Sequence, residues 1–234
     1  MKRKTVSKVV SFILALAMMA IVAVLPASAA QLSTAQTSYG FFQSVGAGDA
    51  LKILNNSTFT PYMHQGDPND ATSLDNMLKG LDLVEATNQK RAAEGLAPFK
   101  VTDSLMAMAQ ANCNYGAANG GHAQVFNNTD SVLDCLAWGP ATSEGAVEMW
   151  FAEKSNIPAG ADEQWIMNNW MYVGHYCTLT GKGYGQGGTL SGGAYCKNRN
   201  TYNETEAAQN PRNETAYTVD QYRARLQNYI NQVK

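Results

Sequence analysis

The strongest constraint on this chain lies in its first thirty residues. Met1-Lys2-Arg3-Lys4 opens it, an uncharged and almost wholly apolar run follows from Val9 to Leu25, and Pro26 leads into Ala27-Ser28-Ala29-Ala30. A basic start, an apolar middle and an Ala-x-Ala exit form the pattern of a secretory signal peptide. The run is also about long enough to span a bilayer, so a retained anchor is the alternative. Pro26 and the small residues after it favour cleavage. No later stretch is apolar enough to cross a membrane. The expectation is a secreted, extracellular product without a transmembrane segment, folding from residue 31 onward.

Removing that segment changes the charge. Residues 1–30 hold four of the 17 basic residues and no acid, which leaves 13 basic against 19 acidic residues and a net charge of −6. No Lys/Arg cluster remains, and nucleic-acid affinity comes mainly from neutralising phosphates, so a nucleic-acid partner is not expected. About two hundred residues suffice for one domain with a sizeable core. Export permits disulfides. The four cysteines, Cys113, Cys135, Cys177 and Cys196, allow three full pairings, between which spacing does not choose. Their spacing fits neither a zinc ribbon nor a CxxC redox motif.

Residues 31–73 are polar and read as an N-terminal extension that drapes on the domain or forms a partly ordered linker. From Thr72 the pattern sharpens. Ser73 caps a helix in which Leu74, Met77, Leu78, Leu81 and Val84 recur at helical spacing as far as Arg91. Gly95 and Pro98 break it. Thr102 or Asp103 caps a second helix, through about Ala117, and Asn119-Gly120-Gly121 ends it directly before His122. Residues 123–141 read as a loop, and Ser143 to about Asn156 as a third helix, bounded by Pro140 and Pro158. At 100° per residue Glu153 falls on that helix's apolar side. The β-branched and aromatic content of Trp170–Leu179 predicts a strand, the glycines between 181 and 188 a turn, and Gly193–Cys196 a returning strand. Residues 201–216 read as polar coil. Val219–Val233 reads as an amphipathic helix with Tyr222, Leu226, Tyr229, Ile230 and Val233 on one side.

Five segments, in this order, resemble the CAP superfamily of cysteine-rich secretory proteins, antigen 5 and plant pathogenesis-related proteins. Leu81–Arg91 with Gly95-Leu96-Ala97-Pro98-Phe99 resembles the family's first helix and turn. Gly121-His122, Leu136-Ala137-Trp138, Trp150-Phe151-Ala152-Glu153 and Gly174-His175-Tyr176 resemble its later motifs. The resemblance covers about residues 74–198, and the CAP domain is expected over 74–200, with a coil and helix over 201–234. It implies a three-layer α-β-α sandwich around a mainly antiparallel sheet. It also implies a cleft holding His122, His175, Glu153 and Asp134, the last standing where the family has glutamate. Cys135 and Cys177 stand where the family has Asn and Thr. Their joint change implies a Cys135–Cys177 bridge and, by remainder, a Cys113–Cys196 bridge. The family's Trp after Gly-His-Tyr is missing; Thr180-Gly181 stands there.

The histidines stand out without the resemblance. Of three, at 64, 122 and 175, two follow glycine. An imidazole pair near carboxylates suits Zn2+ or another divalent metal, with His122 and His175 as the ligands. Each residue also has a plainer reading. His122 alone suits a loop-end hydrogen bonder, Glu153 a rim carboxylate, Trp138 and Trp150 core positions, and His64 the surface. Two functions follow. One is a non-enzymatic extracellular binding or effector module for a lipid, a sterol, a cell-envelope component or a protein. The other is a metal-dependent, peptidase-like hydrolase using the same cleft, although the chain has neither HExxH nor a nucleophile-elbow serine. A cysteine hydrolase built on Cys135 or Cys177 with His175 is a third.

Overall fold

The computed structural model describes residues 31–182 and 188–234. The signal-like segment 1–30 and most of the glycine turn, 183–187, lie outside the described residues. No described helix is long and apolar enough to cross a membrane.

The sheet has four strands, β1 (Lys100–Val101), β2 (Val132–Trp138), β3 (Leu190–Cys196) and β4 (Thr201–Ala207), in the order β1-β3-β4-β2. The β1–β3 pair is parallel, and β3–β4 and β4–β2 are antiparallel. Two glycines on β3 show how helices sandwich this sheet. A Cβ on Gly192 would meet the backbone of Leu105 at 2.1 Å, in α4 (Asp103–Asn119). A Cβ on Gly193 would meet the carbonyl oxygen of Gly80 at 2.1 Å, in α3 (Leu74–Ala93). Successive strand residues point to opposite faces, so α4 covers one face and α3 the other, each pressed backbone to backbone. The fold is an α-β-α sandwich around a mainly antiparallel sheet, as expected.

Helix α4 carries α2 (Gly48–Leu54) against it and α5 (Val125–Thr129) after it. On the α3 face lie α6 (Ser143–Ala152), α8 (Trp170–Thr180) and the terminal α9 (Val219–Val233), with α7 (Glu163–Asn168) leading into α8. The helix caps follow local chemistry: the Ser73, Thr102, Thr142 and Thr218 hydroxyls each accept the backbone N–H three residues on.

Four sequence expectations need correction. Residues 31–73 do not drape. They form α1 (Ser38–Ser44) and α2, and Phe41, Phe42, Ile53 and Leu54 are built into the main core. The loop at 123–141 contains α5 and the whole of β2. The Gly-His-Tyr segment is helical: Val173, Tyr176 and Cys177 bury one side at i, i+3, i+4, and Gly181 ends the helix at φ 70°. Packing on that stripe overrides its strand-like composition. Finally, 201–207 is β4, a central strand buried on both faces rather than coil. The domain therefore runs past residue 200 and begins before 74.

The strand β4 is tolerated in the interior largely because Asn203, Glu204 and Thr205 are paired. Glu204 accepts hydrogen bonds from the hydroxyls of Thr87 on α3 (2.5 Å) and Ser191 on β3 (2.9 Å). Asn203 donates to Asp134 at 2.8 Å, and the Thr205 hydroxyl donates to Asn203 at 2.9 Å.

Candidate functional site

β2 is an edge strand of the sheet, and the site straddles it. Residues paired across antiparallel strands share a face. Asp134 lies opposite Thr205 on the α4 face, Cys135 opposite Glu204 on the α3 face. The α4 side delivers the first histidine. Gly120, at φ 70°, ends α4 with its N–H bound to the Gly116 carbonyl and turns the chain so that His122 returns toward β2. His122 Nδ1 then lies 2.8 Å from Asp134 Oδ2. The same oxygen accepts the Asn203 amide. The Asp134 side chain is 2% exposed and the imidazole 32%. The short aspartate arm thus reaches its histidine from within the sheet.

The second histidine comes from the opposite face. Where α6 tightens into a 3-10 turn, Glu153–Asn156, the Glu153 carboxylate meets α8. It accepts the backbone N–H of His175 (2.8 Å) and of Tyr176 (3.2 Å) and the His175 Nδ1 (2.7 Å). The His175 ring stacks on Trp150, centroids 6.1 Å apart and 25° between planes. Trp150 is anchored through its indole N–H to the Leu136 carbonyl.

The two pairs have the same chemistry. A carboxylate can only accept, so each ring donates from Nδ1. This turns Nε2, the basic nitrogen, away from the acid. His122, Asp134 and His175 line one cavity of about 460 Å³, together with Gln124, Asn127, Trp170 and Thr178. Glu153 stands behind His175 rather than on the wall. The four expected residues are therefore brought together as two oriented imidazoles, each backed by an acid, and not as four converging ligands. Among the described residues no group of three or more His, Cys, Asp or Glu side chains is placed to hold a metal ion. The hydrogen bond to Asp134 raises the His122 pKa, burial opposes it, and the aspartate charge adds to the rise. His64 lies on the surface at a separate depression beside Asp67 and Asn69.

All four cysteines are free, buried thiols, and neither the Cys135–Cys177 nor the Cys113–Cys196 bridge is formed. Three sulfurs lie instead against backbone carbonyls: Cys113 at Thr201 (3.3 Å), Cys135 at His175 (3.7 Å) and Cys196 at Asn69 (3.4 Å). Cys113 and Cys196 share a small cluster with Ala71, Ala109, Ala117 and Ala194. Burial pushes the Cys135 thiol well above its ordinary range, with Glu204 and Asp134 adding to it, and pushes Cys177 up to about 11. A thiolate is the nucleophile in cysteine hydrolases. Both thiols are held protonated, and the Cys135 thiol points to the His175 carbonyl rather than to its ring. The cysteine-hydrolase reading has no support here.

Sequence reasoning missed Glu204 and Glu206, which face the α3 side. Their alternation with Thr201, Asn203 and Thr205 is the period-two signal of a strand, obscured because every member but Tyr202 and Ala207 is polar. It also missed Asn127 and Thr178 as residues of the cavity wall. Compared with known proteins, the chain matches no family model and no curated protein.

Proposed function

We propose that this chain is a CAP-like extracellular binding module, non-enzymatic, whose ligand enters the cleft at the β2 edge. One observation carries the reading: two imidazoles, each fixed through Nδ1 by its own carboxylate, reach one cavity from opposite faces of the sheet. A carboxylate behind a histidine is the arrangement that fixes the tautomer and raises the basicity of a metal-binding nitrogen. His122 and His175 would offer two nitrogens to Zn2+ or a similar divalent ion, and the ligand or water would supply the remaining positions. Such an ion would contribute a charge that draws in an anionic or oxygen-rich group. Asp134 and Glu153 would orient the rings and stay off the ion. The extracellular placement rests on the signal-like residues 1–30.

Catalysis is the weaker reading on chemical grounds. Among the described residues lining the cavity the one hydroxyl is Thr178, which is 4% exposed, and no lining acid stands free of a histidine to act as a base. The metal-dependent hydrolase remains the alternative, with an ion-bound water as its nucleophile.

Titration calorimetry with Zn2+ on protein purified without chelator tests the proposal. One ion per chain is expected, lost in His122→Ala/His175→Ala and unchanged in His64→Ala. No turnover of peptide, ester or polysaccharide substrates is expected with zinc present. Zinc-dependent hydrolysis that disappears in the double variant would replace the binding module by the hydrolase. Zinc binding retained in that variant would remove the cleft from the account.

A further inference from the structure

A second cavity, of about 510 Å³, adjoins the histidine cleft and shares Asn127, Leu133 and Thr178 with it. Its other described walls are Ser131, Val132, Gly181, Gly188, Glu206 and Ala208. Two acceptor atoms in this wall are buried without a hydrogen-bond partner among the described residues: Glu206 Oε2 and Asn127 Oδ1. Glu206 itself is only 5% exposed. Buried polar atoms are almost always paired, so two orphans lining one cavity are a structural signal. Nearby polar groups are otherwise committed. Arg91 sends its guanidinium to the carbonyls of Ala97, Leu179 and Gly188, not to Glu206. Glu204 is satisfied by Thr87 and Ser191. The room at Glu206 is made by Gly188, where a Cβ would lie 1.6 Å from Oε2.

We propose that the two cavities form one groove for a neutral saccharide chain, whose hydroxyls pair with Glu206 and Asn127 while the chain continues into the histidine cleft. This rests on the binding-module reading and names its ligand class. A hydroxyl both donates and accepts, so it can satisfy the amide oxygen and the carboxyl in turn. Burial pushes Glu206 up to about 8, with Arg91 pulling it down and Glu204 pushing it further up, so at neutral pH the carboxyl is mainly uncharged. An uncharged acid favours a neutral partner over an ammonium group. The walls mix apolar and polar groups, and the adjoining cleft adds Gln124, the two histidines and the Trp170 indole along its length. Repeated hydroxyls on an apolar ring suit such a run of alternating surfaces better than a single alcohol at the end of a lipid does.

The test is calorimetry and NMR titration of the whole mature chain with cellotetraose, xylotetraose, laminaritetraose and chitotetraose, each to about 10 mM. Binding of at least one is expected. Glu206→Leu should weaken it about tenfold, the loss of roughly one well-made hydrogen bond. Glu206→Gln, which keeps a donor and an acceptor, should stay within about twofold of wild type. Gly188→Ala should weaken binding by displacing the carboxyl, which covers the case in which Glu206→Leu fails to fold. No binding of any tetrasaccharide, or equal binding in Glu206→Leu and Gly188→Ala, overturns the proposal. Zinc titration separates the two readings: saccharide binding weakened with zinc binding intact in Glu206→Leu assigns the ligand to this cavity. Saccharide binding absent while zinc still binds at His122 and His175 sinks this inference alone.

Discussion

The two faces of the sheet solve the same problem differently at the β2 edge. On the α4 face a single aspartate, sunk in the strand, holds a half-exposed histidine and one neighbouring amide. On the α3 face Glu153 grips α8 by two backbone N–H groups and an imidazole, and that imidazole stacks on Trp150. Behind it lie two buried carboxyls, Glu204 and Glu206, with Arg91 the one cation compensating them among the described residues. One ring is held by the fold's own secondary structure and the other by a loop reaching back to a strand. The α3 side is the wall with more hydrogen bonds and more buried carboxyls; the α4 side has fewer of both.

Charge tests that contrast most strongly. Burial raises Glu204 to about 7 and Glu206 to about 8 from an ordinary 4.5, with Arg91 opposing in both. A carboxyl whose folded pKa lies above its unfolded value favours the folded state only while protonated. Stability should therefore be full below about pH 4.5, fall as pH rises to about 8, and level beyond, a change of a few kcal/mol. Denaturant midpoints between pH 5 and 9 check this, and Glu204→Gln/Glu206→Gln should flatten the slope. An unchanged slope in that double variant would place the penalty elsewhere.

Single substitutions sharpen it further. Glu153→Ala removes three hydrogen bonds and should destabilise by about 3 kcal/mol, at about 1 kcal/mol for each. Asp134→Ala removes two and should cost about 2 kcal/mol on the same scale. Chemical denaturation measures both, and equal or reversed values would break the ranking of the two walls. His122→Ala removes one of the two hydrogen bonds to Asp134 and should cost about 1 kcal/mol on the same scale. His175→Ala should cost more, because it also strips the Trp150 face.

The legibility of the fold followed the periodicity of its apolar residues. Helices α3 and α9 bury clear stripes, α4 is buried nearly all round, and all three were readable nearly to their ends, as was Gly193–Cys196 as strand. What hid was structure stabilised by polar pairing. The run Thr201–Ala207 carries two glutamates and an asparagine, and nothing local reveals that Thr87, Ser191 and Asp134 wait to pair with them. The run Trp170–Thr180 hid for the opposite reason. Its composition favours a strand, and only its packing against β2, α6 and Glu153 makes it a helix. At the site, glycine-preceded histidines and a helix-end glutamate marked the right residues. Their division into two separate pairs was not readable, because it depends on which face of β2 each element approaches.

Both imidazoles are held with Nδ1 on a carboxylate and Nε2 offered to a shared cavity. Nitrogen-15 NMR of the histidine side chains, recorded above the titration range and then with Zn2+ added, tests this most directly. His122 and His175 are both expected to carry their proton on Nδ1, and zinc to shift the two Nε2 signals together at one equivalent, with His64 unmoved. Protons on Nε2, or zinc shifts confined to one of the two rings, would contradict it.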